Sequence, residues 1–203
     1  MNHFKEAAKT WDTPQKKDRN LAIAQSIASH LKNDQSYKLM DFGCGTGLLA
    51  EALRKLVSIE KLVGVDPVEE MIQEFSAKFK DVPDAEGLSL NIETEELPGT
   101  QGEFDLVVSA MAFHHLQGPL VVLKKLKNHL SCDGKIFVVD LDQEDGSFHL
   151  EPQKMGVHHF GFSKEDRDLW CEKAGFKTVT HEAVFEISKN DRVYPVIMSV
   201  YSV

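Results

Sequence analysis

The chain has 203 residues, of which 42% are hydrophobic and 27% charged, values typical of a single globular domain with a substantial core. The net charge is −9 at pH 7, and the acidic excess is concentrated in residues 41–110. An acidic surface disfavours extended contact with phosphate backbones, so we expect no nucleic-acid partner and a neutral or cationic substrate. No long apolar run and no signal-peptide pattern is present, so we expect no membrane insertion.

The cysteines indicate a reducing compartment. They are odd in number, widely separated and without a C-x-x-C pair: Cys44, Cys132 and Cys171. This usage is typical of free thiols in a cytoplasmic protein. The sequence makes no prediction of an oligomeric state.

The first two thirds of the chain alternate between helical and extended periodicity. In chain order, the apolar spacing predicts a helix over 18–31, strands over 37–41 and 61–65 with a helix over 47–56 between them, strands over 88–92 and 104–109, a helix over 119–130 and a strand over 134–141. Pro67, directly after Asp66, is expected in the first turn of a further helix. Strands that alternate with helices imply an α/β fold with a parallel sheet wound on both faces.

The last forty residues have a different pattern. A helix is expected from Ser163 to the residue before Gly175, with Ser163 as its N-cap and Asp166 three residues later, close to a capping box. Two strand-like runs follow, over 177–187 and 192–203, and a polar turn between them predicts a terminal hairpin.

We therefore divide the expected single domain, residues 1–203, into four parts. Residues 1–35 form an N-terminal lid and helix, and residues 36–141 form a ligand-binding core. Residues 142–162 have little periodicity and are expected to be an insertion that faces the substrate. Residues 163–203 contain the C-terminal helix and hairpin.

The most informative segment follows the first predicted strand. Asp41 ends an apolar run, and Gly43, Gly45 and Gly47 follow at alternate positions before a helix. Glycines at this spacing let the backbone turn sharply and approach a ligand closely, and the helix N-terminus beyond them offers free N–H groups.

Two ligand classes use a strand, a glycine loop and a helix in this order. A dinucleotide site favours G-x-G-x-x-G, whereas position 48 is Leu and the spacing here is G-x-G-x-G. Asp41 would repel a pyrophosphate but could bind an ammonium group. Cys44, inside the loop, is expected to be a small buried residue rather than a nucleophile, because no local His or Asn would activate it.

The loop resembles motif I of the class I S-adenosylmethionine-dependent methyltransferases, which have an acidic-x-G-x-G-x-G pattern. Further segments resemble the family in order and spacing: Ala-Lys-Thr-Trp-Asp at 8–12, Val65-Asp66 with Met71, Glu-Glu-Leu-Pro at 95–98, Phe-Asp-Leu-Val-Val at 104–108 and Phe-His-His-Leu at 113–116. The Ser-Cys-Asp-Gly at 131–134 departs from the usual K-P-G-G. The resemblance is greatest to small-molecule enzymes of the ubiquinone and menaquinone pathways. It implies a Rossmann-like, mostly parallel seven-stranded sheet with an antiparallel C-terminal strand.

The resemblance also implies a cofactor, S-adenosylmethionine, with S-adenosylhomocysteine as product. Asp41 would hold the methionyl ammonium, and Asp66 would accept both ribose hydroxyls. Four further groups of residues are implied at the cofactor. The loop would be Gly43, Cys44, Gly45 and Gly47, and the adenine would be contacted by Pro67, Met71, Glu93 and Thr94. Ser109 and Ala110 would lie beneath the sulfonium, and Trp11 would form a lid. Met71 could equally be a core residue, and Glu93 is longer than the usual Asp.

Two adjacent histidine pairs raise the question of a metal. The side chains of His114–His115 and of His158–His159 would diverge, and no H-x-x-x-H pattern or Asp set accompanies them, so we expect no metal. His114 and His158 are candidate substrate contacts. His115 and His159 are candidate general bases, needed only if the acceptor must lose a proton.

The sequence therefore predicts an enzyme that moves a methyl group to a small-molecule acceptor by in-line displacement. Three alternatives remain at this point: a protein or peptide methyltransferase of the same fold, a non-catalytic module that binds S-adenosylmethionine, and a nicotinamide-dependent oxidoreductase. Leu48 and Asp41 disfavour the last. The acceptor and its reacting atom are not predicted.

Overall fold

The structure is a computed structural model that describes residues 2–98 and 101–203. Within that part the chain forms six α-helices and seven β-strands. In chain order these are α1 (Asn2–Ala7), α2 (Pro14–Ser29), β1 (Ser36–Phe42), α3 (Leu48–Leu53), β2 (Ser58–Asp66), α4 (Glu69–Lys78), β3 (Ala85–Ser89), β4 (Phe104–Ala110), α5 (Pro119–Asn128), β5 (Leu130–Leu141), α6 (Lys164–Ala174), β6 (Thr178–Lys189) and β7 (Arg192–Ser202).

The strands form one sheet in the order β3-β2-β1-β4-β5-β7-β6. The strands from β3 to β5 are parallel, and β7 runs antiparallel to both β5 and β6. The predicted α/β class, the parallel core and the antiparallel C-terminal strand are thus confirmed. The strand order reverses between β1 and β4, which is where doubly wound sheets open a crevice at their carboxyl ends.

The core lies in two layers, one on each face of the sheet. Consecutive residues of β1 point to opposite faces: Leu39 packs with α2, α3 and α4, whereas Met40 packs with α5 and α6. On the first face, Ile23 and Ile27 of α2 are fully buried. Because both faces of the central strands are covered, those strands are mostly apolar, as expected for a parallel sheet.

Several predicted boundaries differ from those observed. α2 begins four residues early, at Pro14, because the Thr13 side chain accepts a hydrogen bond from the backbone N–H of Lys16 and caps the helix. β3 ends at Ser89, so the strand predicted over 88–92 was wrong by three residues; the chain turns at Asn91, whose side chain accepts the N–H of Glu93.

Two further boundaries were also placed differently. Pro67 lies before α4 rather than in its first turn, because Asp66 accepts the N–H of Val68 and Val68 is the N-cap. β5 begins at Leu130, four residues before the predicted start. The capping box at Ser163 and Asp166 is confirmed, with both reciprocal hydrogen bonds formed.

No helix within residues 2–98 and 101–203 combines the length and the apolar character needed to cross a lipid bilayer.

Candidate functional site

A cavity of about 300 Å³ opens at the carboxyl ends of β1, β2 and β4. Its walls come from the N-terminal segment, the glycine loop, the segment after β3, the loop after β4 and the 142–162 insertion. The residues that line it include Phe4, Trp11, Arg19, Asp41, Gly43, Cys44, Gly45, Asp66, Pro67, Met71, Asn91, Glu93, Ala110, Ala112, His115, Met155, Gly156 and His158.

The glycine loop wraps around the end of β2. The backbone N–H groups of Gly43 and Cys44 both donate to the carbonyl of Val65, at 2.8 and 3.1 Å. Gly43 has φ +67°, and a Cβ there would lie 2.4 Å from the Cβ of Ala112. Gly43 therefore permits the loop after β4 to approach the glycine loop closely.

Gly47 has a different position from the other two glycines. It is the N-cap of α3, with φ +82°, and does not line the cavity. A Cβ on it would lie 2.5 Å from the Phe79 ring and 2.8 Å from the Phe75 ring. The third glycine of the motif therefore allows α4 to pack against the start of α3, and it makes no contact with the cavity.

Asp41 presents an unsatisfied acceptor to the cavity. Its side chain is 2% exposed, and its Oδ2 has no hydrogen-bond partner among the described residues. Burial raises the pKa of Asp41 to about 7; the backbone N–H of Ala50 acts in the opposite direction, and the nearby Asp66 adds to the increase. A buried carboxylate is costly without a partner, so this site favours a cationic or hydrogen-donating ligand.

Asp66 is held rigidly at the end of β2. Its Oδ1 accepts the N–H of Val68 and its Oδ2 accepts the N–H of Gly45, both at 2.9 Å. Burial raises its pKa to about 6, and these two backbone donors oppose the increase. Each oxygen retains a second lone pair, which suits recognition of two neighbouring hydroxyl groups.

The segment after β3 forms the next wall. Met71 lines the cavity and is 2% exposed. Glu93 also lines it, but its Oε1 accepts the N–H groups of Gln117 and Gly118, both at 2.9 Å, and so joins this wall to the loop after β4. Thr94 lies outside the cavity lining and bonds instead to the carbonyl of Asn91.

Ser109 and Ala110, both predicted to lie beneath the sulfonium, are on opposite faces of β4, because successive side chains of a strand point in opposite directions. Ala110 lines the cavity. Ser109 does not, and its Oγ is buried with no hydrogen-bond partner in the part of the chain that the structure describes.

The N-terminal segment covers the cavity. Trp11 lines it and packs against Phe4, with ring centroids 5.6 Å apart. The next residue, Asp12, accepts hydrogen bonds from the Thr46 hydroxyl at 2.5 Å and from the Lys78 ammonium at 2.8 Å. Asp12 therefore ties the predicted lid to both the glycine loop and α4.

Arg19 is a cavity residue that sequence reasoning missed. Arg19 lines the cavity, and its Nε is buried without a partner among residues 2–98 and 101–203. Burial lowers its pKa, and Asp140 opposes this effect. The available signal was helical spacing: Arg19 lies one turn before the fully buried Ile23, so its side chain shares the inward face of α2.

Of the four predicted histidines, His115 and His158 line the cavity. The Nδ1 of His115 lies 3.0 Å from the carbonyl oxygen of Gly156. A carbonyl only accepts, so Nδ1 carries the proton and Nε2 keeps its lone pair. Burial and the neighbouring His114 lower the pKa of His115 to about 4, so the ring is neutral at physiological pH.

The other two histidines are outside the cavity. His114 is buried behind it, with its Nδ1 2.7 Å from the Oδ1 of Asp140. His159 lines a separate hollow beside Phe160 and Trp170. His149, which sequence reasoning did not single out, stacks 5.1 Å from His114. Among the described residues no group of three or more His, Cys, Asp or Glu could hold a metal ion.

Comparison with known proteins identifies the class. A family model described as methyltransferase domain matches residues 15–181, and the chain belongs to this family. It is a class I S-adenosylmethionine-dependent methyltransferase, the class to which this fold and cavity correspond. S-Adenosylmethionine is the cofactor of this class.

The chain is similar to particular members of the class. An uncharacterized methyltransferase of Schizosaccharomyces pombe is 30% identical over 164 residues, which cover 73% of this chain and 57% of that protein. The tRNA U34 carboxymethyltransferase of Alcanivorax borkumensis is 31% identical over 160 residues, 76% of this chain and 49% of that protein. The chain thus spans about half the length of these curated relatives.

A solved structure shares the fold over nearly the whole chain. It is the methyltransferase in a complex with the Haloferax volcanii Trm112 methyltransferase activator, with a TM-score of 0.81 and 19% identity. The alignment covers 98% of this chain and 96% of that one.

Proposed function

We propose that this enzyme transfers the methyl group of S-adenosylmethionine to a small-molecule acceptor by in-line displacement. The observation that supports this most directly is the set of three charged groups around one cavity: Asp41, Asp66 and Arg19. Two of them, Asp41 and Arg19, have side-chain atoms without partners in the described part of the chain. An amino-acid tail has an ammonium and a carboxylate that would satisfy both.

In this proposal one half of the cavity holds the cofactor. Asp41 binds the ammonium group, Arg19 binds the carboxylate, and Asp66 accepts the ribose hydroxyls. Pro67 and Met71 offer an apolar surface for the base. When bound, the cofactor supplies a methyl group that its positively charged sulfur already activates. The protein therefore has to align the acceptor with this methyl group and does not have to form a covalent intermediate.

The other half holds the acceptor. Phe4, His115, Met155, Gly156 and His158, which line the same cavity, form this half in our proposal. Alignment in such a site contributes up to about 7–11 kcal/mol to the barrier reduction. The neutral His115 offers its Nε2 lone pair to an acceptor O–H, N–H or S–H, and a base at this position adds about 10²–10⁴-fold.

We assign the proton-accepting role to His115 alone. His159 lies in the hollow beside Trp170, and its backbone N–H is bonded to the carbonyl of His114. His159 is not among the residues that line the cavity, whereas His115 is.

A small acceptor is favoured over a macromolecular one by two features. The lid residues Phe4 and Trp11 cover the cavity, and the net charge of −9 repels nucleic-acid phosphates. The name of one relative, a tRNA U34 carboxymethyltransferase, supports an RNA acceptor as the second candidate. The three free cysteines support a reducing, cytoplasmic location.

The decisive experiment separates the cofactor from the acceptor. Calorimetric titration should give binding of S-adenosylhomocysteine and none of NADH. Incubation with S-adenosylmethionine labelled in the methyl group, against a panel of phenols, catechols, thiols, carboxylates, amines, a basic peptide and total tRNA, should label a small molecule. Labelling of tRNA or peptide alone would overturn the small-molecule assignment and leave the cofactor assignment intact.

A further inference from the structure

A buried hydrogen-bonded dyad lies directly behind the acceptor half of the cavity. Asp140, at the end of β5, and His114, after β4, are each 2% exposed. The Nδ1 of His114 lies 2.7 Å from the Oδ1 of Asp140, and the Oδ2 of Asp140 accepts the backbone N–H of His114 at 3.1 Å. Both the ring and the backbone of His114 are therefore held by one carboxylate.

The carboxylate remains an acceptor in spite of its burial. Burial alone would raise the pKa of Asp140, but His114 and the backbone N–H of Leu141 hold that pKa below its usual value. Because a carboxylate only accepts, the Nδ1 of His114 carries the proton in this pair.

The same residue anchors the 142–162 insertion. The carbonyl oxygen of His114 accepts the backbone N–H groups of His158 and His159, at 2.9 and 3.1 Å. One residue further along, the Nδ1 of His115 donates to the carbonyl of Gly156. These hydrogen bonds connect the buried Asp140 to two residues of the acceptor wall, Gly156 and His158.

We propose that Asp140 and His114 are positioning residues, which fix the His115 ring and the insertion against the cofactor half of the cavity. Neither side chain lines the cavity, so they act through His115 and His158. The glycine loop of the cofactor half is held separately, by the carbonyl of Val65 and the carboxylate of Asp66. The inference rests on the proposed function in assigning this wall to the acceptor.

Four variants of the full chain separate positioning from a general structural role. His114→Leu removes the donor to Asp140, and His114→Gln moves the donor to the position of Nε2. His114→Asn is the matched control, because its amide nitrogen can occupy the position of Nδ1 and keep the hydrogen bond. Asp140→Asn replaces one acceptor oxygen by a donor, which cannot satisfy all three N–H groups that face it.

Three readouts are required, and none depends on the identity of the acceptor. Hydrogen exchange of peptides that span 154–162 reports on the insertion, with peptides from β1 and β2 as the internal reference. Long-range ¹H–¹⁵N correlation of the imidazoles, with His115→Gln to assign the signals, reports the His115 tautomer. Calorimetry with S-adenosylhomocysteine reports on the cofactor half.

We expect amide hydrogen exchange in the peptides of the insertion to become faster by about tenfold or more in His114→Leu, His114→Gln and Asp140→Asn. The exchange rates of the reference peptides should not change. The His115 signals should change from the Nδ1-protonated tautomer to a mixture, whereas His114→Asn stays close to the parent. Affinity for S-adenosylhomocysteine should remain within about threefold in the three His114 variants. Asp140→Asn is left out of this readout, because Asp140 also favours the charged form of Arg19 in the cofactor half.

Two results would overturn the proposal. One is that the exchange rate of the insertion and the tautomer of His115 stay unchanged in His114→Leu and Asp140→Asn. The other is that every variant without the His114–Asp140 hydrogen bond fails to fold or exchanges faster to the same extent in the reference peptides as in the insertion. The pair would then have only a structural role. If the parent itself does not bind S-adenosylhomocysteine, the proposed function fails instead, and the exchange and tautomer results still decide the positioning role.

Discussion

At the scale of single residues, Asp41 is subject to two opposing demands. Burial raises its pKa to about 7, yet an ammonium ligand requires its ionised form. In the unfolded chain the pKa returns to about 3.9, so between about pH 4 and 7 the folded protein binds more protons than the unfolded one. Without ligand, the free energy of unfolding therefore falls as pH rises through this window.

Asp41→Asn should remove the contribution of Asp41 to this dependence and leave that of Asp66, whose pKa is also raised. At pH 8 the unliganded variant should be more stable than the parent by about 1–3 kcal/mol, because it no longer buries an unpaired charge. At pH 5 the parent carboxyl is mostly protonated, and the two proteins should differ by less than about 1 kcal/mol. Urea unfolding of both proteins at the two pH values measures this. The same difference in free energy of unfolding between variant and parent at pH 5 and at pH 8 would contradict the assignment of a raised pKa to Asp41.

Arg19 tests the proposed recognition of the amino-acid tail. Arg19→Met keeps the apolar stem and removes the guanidinium group, so S-adenosylhomocysteine should bind about 10–100-fold more weakly, the effect of losing a hydrogen bond to a charged group. The ligand control is 5′-methylthioadenosine, which has no amino-acid tail and should bind the variant and the parent alike. Equal losses for both ligands would place the effect of Arg19 in folding rather than in recognition.

At the scale of elements, the glycine loop depends on how closely its neighbours approach. Gly47 and Gly156 both have positive φ, at +82° and +67°, but only Gly47 is crowded. The Phe75 and Phe79 rings of the α4 region occupy the space that a Cβ would need, whereas no atom of the described part of the chain lies within 4 Å of that position at Gly156. The two glycines therefore separate backbone strain from packing.

Gly156→Ala should cost about 1–2 kcal/mol of stability, which is the strain of a left-handed alanine. Gly47→Ala should cost about 1–3 kcal/mol more, because the buried rings must also move. Chemical denaturation with a common m-value is the measurement. Equal losses in the two variants would show that α4 can accommodate a methyl group at this contact.

At the scale of the whole molecule, the cavity joins elements that are distant in sequence. The lid, β1, β2, β4 and the insertion meet at one edge of the sheet, and the lid is tied down through Asp12. A ligand that fills this space binds only the folded state. It should therefore stabilise the entire domain rather than one loop.

S-Adenosylhomocysteine at about 100 times its Kd should add about 2.7 kcal/mol to the stability of the protein. For a chain of this size that corresponds to a rise in Tm of about 5–11 °C. NADH at the same concentration should leave Tm unchanged. Thermal scans with each ligand test this, and a rise with NADH alone would favour a dinucleotide site.

Some features of this protein were determined by its sequence alone. The glycine loop beside Asp41, the capping box at Ser163 and the alternation of strands with helices are local, because each depends on residues within a few positions of one another. Backbone conformation at glycines, caps and apolar periodicity has a short-range physical cause, so these features could be predicted without the fold. The expectation of seven strands, with an antiparallel one at the C-terminus, followed from resemblance to a family.

Tertiary structure alone decided which side chains face the cavity. Arg19 and His115 line it, while His159, from an equally suggestive pair, faces another hollow. Periodicity shows that a face is buried but not what it is buried against, and in the aperiodic insertion even the face is undefined. Gly47 fits the same motif as Gly43 yet contacts aromatic rings instead of the cavity. Those outcomes depend on contacts between segments far apart in the chain, and only folding brings such segments together.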